Sequence, residues 1–139
     1  MDAFDADVLI YAAVADHPLG QRVRALFASE PGSRAGVGSL LLLPEVLTKP
    51  MRDGCVVELT ALAGLLSRLE LRTLDPVTAE VATSLAATHR LRAADAVHLA
   101  TAVVAGADRF LTNNRQDFPV TLAEIDVTYP DMLPDPAAS

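Results

Sequence analysis

The chain has 139 residues, of which 51% are hydrophobic, and a formal net charge of −7. This length suits one domain with one hydrophobic core. The negative charge argues against a protein that coats nucleic acid by bulk electrostatics. Apolar runs such as residues 40–43 are far too short to cross a bilayer.

Cysteine usage and the N-terminal segment both bear on where the protein works. Cys55 is the only cysteine, so neither an intramolecular disulfide nor a cysteine-ligated zinc site is possible. The chain does not begin with a basic segment followed by a long apolar one, which is the pattern of a signal peptide. We therefore expect a soluble protein in the reducing cytoplasm.

Strand and helix patterns alternate along the chain. Predicted strands end at Phe4 and cover residues 34–38, 69–74, 109–112 and 125–129. Predicted helices cover residues 8–14, 18–27, 44–49, 57–68, 76–89 and 93–105. The alternation predicts an α/β fold with a mainly parallel sheet and helices on both faces. Residues 1–129 form the predicted domain, and residues 130–139 a flexible tail.

Turn and cap residues set the predicted boundaries. Asp7 is predicted to cap the first helix and Asp16 the second, which Pro18 opens. Residues 30–33 are typical of a turn, and Pro50 is predicted to end the third helix.

Four polar residues fall at one predicted edge of the sheet. Asp5 follows the first strand, Glu45 begins the third helix, Asp95 begins the last helix, and Asn114 follows the fourth strand. Three acids and an amide would repel one another unless a cation lay between them. Oxygen ligands without cysteine suit Mg²⁺ or Mn²⁺, which can activate water for phosphodiester hydrolysis. Each acid alone is also compatible with a cap or a surface turn.

Four segments in this order resemble the motifs of PIN domains, and most of all the VapC-type toxins of bacterial toxin–antitoxin pairs. They are listed here from the N-terminus: FDADVLIY at 4–11, SLLLLPEVL at 39–47, LRAADAVHLATA at 91–102 and FLTNNRQDF at 110–118. The resemblance implies a PIN-like three-layer α/β/α sandwich with a central, mainly parallel sheet of 4–5 strands. It further implies a cytoplasmic Mg²⁺- or Mn²⁺-dependent endoribonuclease, a homodimer, and a VapB-type antitoxin partner, in a heterotetramer or a larger assembly. The implied substrate is a structured RNA such as tRNA or rRNA, and the implied outcome is arrest of translation and growth.

The resemblance also implies roles for individual residues. The family's acids fall on Asp5, Glu45 and Asp95, which would bind the metal. The place of its fourth acid is Asn114, and Asp117 is the alternative for that role. Thr112 would contact the activated water or the substrate phosphate, or it is an ordinary strand residue.

Further residues are expected to have secondary roles. His98 lies on the same helical face as Asp95 and is expected to be packed or hydrogen-bonded rather than a base. Several basic residues could form a rim for RNA phosphates, namely Lys49, Arg52, Arg90, Arg92 and Arg115.

Two other functions remain open from the sequence. The Asp5-x-Asp7 pair is also similar to the nucleophile motif of haloacid dehalogenase-like phosphatases, which form an aspartyl-phosphate. Those enzymes need a lysine late in the chain, whereas the single lysine here is Lys49. A PIN-like binding module without nuclease activity is the second alternative, and Asn114 is the residue that favours it.

Overall fold

In the computed structural model, which describes residues 1–28 and 33–138, a five-stranded sheet divides the molecule into layers. The strands are β1 (Asp2–Phe4), β2 (Gly36–Ser39), β3 (Leu69–Arg72), β4 (Arg109–Leu111) and β5 (Asp126–Thr128). Their order is β3-β2-β1-β4-β5, and every neighbouring pair is parallel. The prediction of a mainly parallel sheet of 4–5 strands is confirmed.

Helices connect the strands and cover both faces of the sheet. They are α1 (Ala6–Ala12), α2 (Pro18–Ala25), α3 (Leu42–Arg52), α4 (Val56–Leu66), α5 (Pro76–His89) and α6 (Ala93–Val104). Successive side chains of a strand point to opposite faces, so Ala3 lies in the core beneath α5 and α6, and Phe4 lies in the core beneath α1–α4. Two separate cores result, one on each side of the sheet, and the molecule is a three-layer sandwich.

The strand order makes the carboxyl end of β1 the expected place for a ligand. β1 is the central strand, and the chain moves from it first to β2 on one side and later to β4 on the other. Ligands in open parallel sheets bind at the carboxyl end of the strands, where the connections diverge in this way. Asp5 follows directly after β1 and so occupies that position.

Two predicted helix caps and one predicted helix end are wrong. Helix α1 begins at Ala6 and is capped by Asp5, whose Oδ1 accepts the Ala6 N–H at 2.8 Å, so Asp7 is not the cap. Helix α2 is capped by His17 rather than Asp16, because Nδ1 of His17 accepts the Gly20 N–H at 3.1 Å. Pro50 does not end α3, which continues to Arg52. Pro50 is buried near the end of that helix, where a missing N–H costs a single bond.

Two further predictions concern the ends of elements. The turn predicted over residues 30–33 lies largely outside the described residues. Pro130–Met132 form a short 3₁₀ helix, and Leu133 is buried in the core beneath α1–α4. The flexibility expected of residues 130–139 stays a prediction. Among the described residues, no helix is long and apolar enough to cross a membrane.

Candidate metal site

Asp5 is a buried carboxylate held by three contacts. Its backbone N–H donates to the carbonyl of Leu111 at 2.9 Å, which ties it to β4. Oδ1 caps α1, and Oδ2 accepts the hydroxyl of Thr112 at 2.8 Å. The residue is only 5% exposed. Burial raises the pKa of Asp5, and the carboxylate of Glu45 raises it further, whereas His98 and the Thr112 hydroxyl lower it.

Glu45 lies in the first turn of α3, and its carboxylate meets a histidine from the other side of the sheet. Nε2 of His98 hydrogen-bonds to Oε1 of Glu45. His98 is on α6, which packs in the core opposite the one that contains α3. The contact therefore crosses the carboxyl edge of the sheet and joins its two helical layers. His98 is packed and hydrogen-bonded, as the sequence predicted, but the sequence did not identify its partner.

Asp95 lies in the first turn of α6, one turn before His98, and is partly buried. Burial raises the pKa of Asp95, and the charges of Asp5, Asp117 and Glu45 raise it further. A carboxylate whose charge raises the pKa of another carboxyl lies close enough to interact with it electrostatically. Asp5, Glu45 and Asp95 thus reach the same edge of the sheet from three different elements.

The loop after β4 contains the two candidates for the fourth polar residue. Nδ2 of Asn114 donates to Oδ2 of Asp117 at 2.9 Å, and the Asp117 N–H donates to Oδ1 of Asn114 at 3.3 Å. The Asn114 N–H also donates to the Thr112 hydroxyl at 3.1 Å. The amide side chain therefore orients Asp117, and the charge of Asp117 reaches Asp95.

Asp7 connects the start of α1 to the same loop, a contact that sequence reasoning missed. Its Oδ1 accepts the Val8 N–H at 2.7 Å, and its Oδ2 accepts the Asn113 N–H at 2.9 Å. Burial, followed by the charge of Asp5, raises the pKa of Asp7 to about 7. The spacing of Asp5 and Asp7 was the available signal, but the partner comes from residues more than a hundred positions away.

The donor set suits a divalent cation chemically. The acids supply only oxygen atoms as ligands. A bound cation would offset the free-energy cost of keeping these buried, neighbouring carboxylates ionised. Within residues 1–28 and 33–138, however, no group of three or more acidic, histidine or cysteine side chains is arranged so that it could hold a metal ion. The carboxylates interact electrostatically without forming a ligand cluster.

The basic residues expected to contact RNA are all exposed. Two of them already have acidic neighbours: Arg115 pairs with Asp131 at 2.6 Å, and Arg52 lies 3.4 Å from Asp53. The Arg115 guanidinium also lies 4.3 Å from the centre of the Tyr129 ring. A basic rim for RNA stays a prediction.

Comparison with known proteins identifies the family. Residues 3–121 match the PIN domain family. Because this match covers most of the chain, the protein belongs to the PIN domain family. A search of curated protein sequences found no match.

Several solved structures share the fold. A chain of a toxin–antitoxin complex from Klebsiella pneumoniae has a TM-score of 0.72 and 21% identity, with 94% of this chain and 98% of that chain covered. A chain of VapBC2 from Rickettsia felis, bound to a promoter DNA fragment, has a TM-score of 0.69 and 16% identity, with coverage of 92% and 97%. A chain of FitAB bound to an IR36 DNA fragment has a TM-score of 0.64 and 20% identity, with coverage of 94% and 95%. At these identities the likeness establishes the fold, and the predicted PIN-like sandwich is confirmed.

Proposed function

We propose that this PIN domain is a divalent-metal-dependent endoribonuclease and the toxin of a toxin–antitoxin pair. The observation that supports the proposal is electrostatic: Asp5, directly after the central strand, interacts with Glu45, and Asp95 interacts with both. Burial raises the pKa of both Asp5 and Asp95; the charge of Glu45 raises both further, and the charge of Asp5 adds to the rise at Asp95. Carboxyl groups with such raised pKa values cluster at functional sites, and a bound cation would stabilise their ionised forms.

In this proposal, Asp5, Glu45 and Asp95 bind Mg²⁺ or Mn²⁺. The bound ion supplies positive charge that neutralises a phosphate oxygen and lowers the pKa of a water molecule. Thr112 holds Oδ2 of Asp5, so that the buried carboxylate keeps one orientation. Asp117, oriented by Asn114, adds a fourth negative charge near Asp95.

Asp7 accepts hydrogen bonds from the backbone N–H groups of Val8 and Asn113, and these bonds fix the position of the loop after β4 relative to α1. The side-chain Nδ2 of Asn113 also donates to the hydroxyl of Tyr11 at 3.3 Å. Thr112, Asn114 and Asp117 all lie on the strand end and loop that these bonds anchor. Asp7 therefore supports the site without serving as a ligand.

The partner and substrate parts of the proposal draw on the fold relatives. The similar structures are described as a toxin–antitoxin complex, as VapBC2 and as FitAB. We assign this chain a cognate VapB-type antitoxin, a homodimeric state, a cytoplasmic location and a structured RNA substrate such as tRNA or rRNA.

A cleavage assay tests the proposal. Purified protein is incubated with total RNA in Mg²⁺, in Mn²⁺ and in EDTA, and new 5′ ends are mapped by sequencing. We expect cleavage at a few sites in either metal and none in EDTA. Asp95→Asn removes a proposed ligand, and Asp126→Asn changes an exposed acid at the amino end of β5, so only the first should abolish cleavage.

The alternative function is a PIN-like module that binds RNA or protein without cutting. Two points favour it: Asn114 stands where the resemblance to the family implies a fourth acid, and the described acids do not form a ready ligand cluster. It predicts that RNA stays intact in both metals and that Mg²⁺ does not raise the thermal unfolding temperature of the protein.

A further inference from the structure

The contact between His98 and Glu45 connects a buried ring to a partly exposed carboxylate. The His98 side chain is 1% exposed, whereas that of Glu45 is 34% exposed. Packing in the core beneath α5 and α6 therefore holds the ring in place. Glu45, by contrast, has three rotatable side-chain bonds and open space on one side.

Only one oxygen of the Glu45 carboxylate is engaged by the histidine. Nε2 of His98 meets Oε1. Within the part of the chain that the structure describes, Oε2 has no hydrogen-bond partner. Ordering a free glutamate side chain costs conformational entropy. The hydrogen bond from the fixed ring already restricts the Glu45 side chain, so less entropy is lost when an ion binds.

Core packing alone does not explain a histidine at this position. The other ring nitrogen, Nδ1, is buried and has no hydrogen-bond partner among the described residues. An apolar side chain of similar volume would fill the space without burying an unpaired polar atom. The polar function of the ring is thus directed at Glu45.

We propose that His98 is a positioning residue, which holds Oε1 of Glu45 so that the carboxylate is oriented for the ion that Asp5 and Asp95 also bind. This inference rests on the proposed metal site. Groups that hold a metal ligand from behind contribute strongly to affinity, and their loss typically weakens metal binding by about 10- to 100-fold.

Two amide variants test the inference as a matched pair. In His98→Gln the side-chain nitrogen reaches about as far as Nε2, so it can still donate to Glu45. In His98→Asn the nitrogen replaces Nδ1, which has no partner, and the bond to Glu45 is lost. Both variants bury a neutral amide, so their metal-free thermal unfolding temperatures provide a check on stability alone.

The measurement is the affinity for Mn²⁺, by calorimetric titration and by the electron paramagnetic resonance signal of free Mn²⁺, without RNA. We expect His98→Gln to bind within about threefold of the parent and His98→Asn to bind about 10- to 100-fold more weakly. In a Glu45→Gln background the two variants should bind alike. If His98→Asn does not fold, His98→Met serves as the variant without a donor.

Several results would overturn the inference. His98→Asn could bind Mn²⁺ as tightly as His98→Gln or more tightly, or the difference between the two could persist fully in the Glu45→Gln background. An Asp5→Asn variant separates the two levels of the argument. If the parent does not bind Mn²⁺, or Asp5→Asn binds as the parent does, the metal site fails and the inference with it. If Asp5→Asn loses affinity and His98→Asn does not, the role of His98 alone is wrong.

Discussion

Thr112 donates its hydroxyl to Oδ2 of Asp5 at 2.8 Å across the boundary between β4 and β1, and both side chains are buried. The bond joins residues 107 positions apart, and it lowers the pKa of a carboxyl that burial raises. The hydroxyl therefore helps keep Asp5 ionised, which is the state needed to bind a cation.

Replacing Thr112 by valine should weaken the site while keeping its shape. The variant removes the donor to Asp5 and the acceptor for the Asn114 N–H, and losing a buried hydrogen bond costs about 1–3 kcal/mol of stability. Because the lost bond lowered the pKa of Asp5, the acid limb of the cleavage rate should move to higher pH. Thr112→Ser keeps the hydroxyl and should retain the parent profile. Equal profiles for the valine and serine variants would contradict this role.

The stability of the metal-free protein should fall as pH rises. Folding raises the pKa of Asp5 and Asp95, and that of Asp7 to about 7, so the folded state binds these protons more tightly than the unfolded state does. The contribution of these protons to the free energy of unfolding is fully present below the unfolded-state pKa of about 4. It is lost as pH rises through the pKa values of the folded state. Urea unfolding in EDTA should therefore give a lower free energy at pH 8 than at pH 5.

Two comparisons make the pH prediction specific. Added Mg²⁺ should reduce the loss between pH 5 and pH 8, because the ion stabilises the ionised acids. Asp7→Asn should also flatten the dependence, since it removes one of the raised groups. A free energy of unfolding that rises steadily from pH 5 to pH 8 in EDTA would show that the raised pKa values are wrong.

Gly20 allows α1 and α2 to approach closely. A Cβ at this position would lie 1.9 Å from the carbonyl oxygen of Tyr11. Gly20→Ala should therefore force the helices apart and destabilise the fold by about 1–3 kcal/mol or more, as overpacking does. A Cβ added at Gly64 on α4 would have no atom within 4 Å beyond its chain neighbours and the backbone of its own helix. Gly64→Ala should therefore stabilise the fold by about 0.5–1 kcal/mol. Chemical unfolding of the two variants should give opposite signs, and destabilisation by both would contradict this assignment.

Truncation tests where the domain ends. Arg22 donates to the carbonyl of Leu133 at 2.9 Å, and both Leu133 and Tyr129 are buried. Deleting residues 134–139 should leave the thermal unfolding temperature nearly unchanged. Deleting residues 129–139 removes both buried side chains and should lower that temperature by many degrees or prevent folding. Similar stability of the two truncations would place the end of the core at Thr128.

Sequence periodicity located most elements, because a parallel α/β fold needs apolar strands between amphipathic helices. It also indicated that Asp5, Glu45 and Asp95 follow strands or begin helices at one edge. The order β3-β2-β1-β4-β5 depends on long-range pairing that a local pattern does not contain. The local sequence also could not decide between Asp5 and Asp7 as the helix cap, because both are aspartates near the start of α1 and satisfy the same capping rule.

The bond between His98 and Glu45 could not be read from the sequence for a related reason. The two residues are 53 positions apart on helices that cover opposite faces of the sheet. Helical spacing placed His98 beside Asp95, but only the folded edge brings Glu45 to it.

The central claim is that Asp5, Glu45 and Asp95 together bind one divalent metal ion at the carboxyl end of β1. The most direct measurement is a crystal structure of the protein grown with Mn²⁺, using anomalous scattering to locate the metal. The account predicts a Mn²⁺ peak in contact with carboxylate oxygens of these three residues, and its loss in an Asp5→Asn crystal. A peak elsewhere, or no peak at this edge at saturating Mn²⁺, would contradict it.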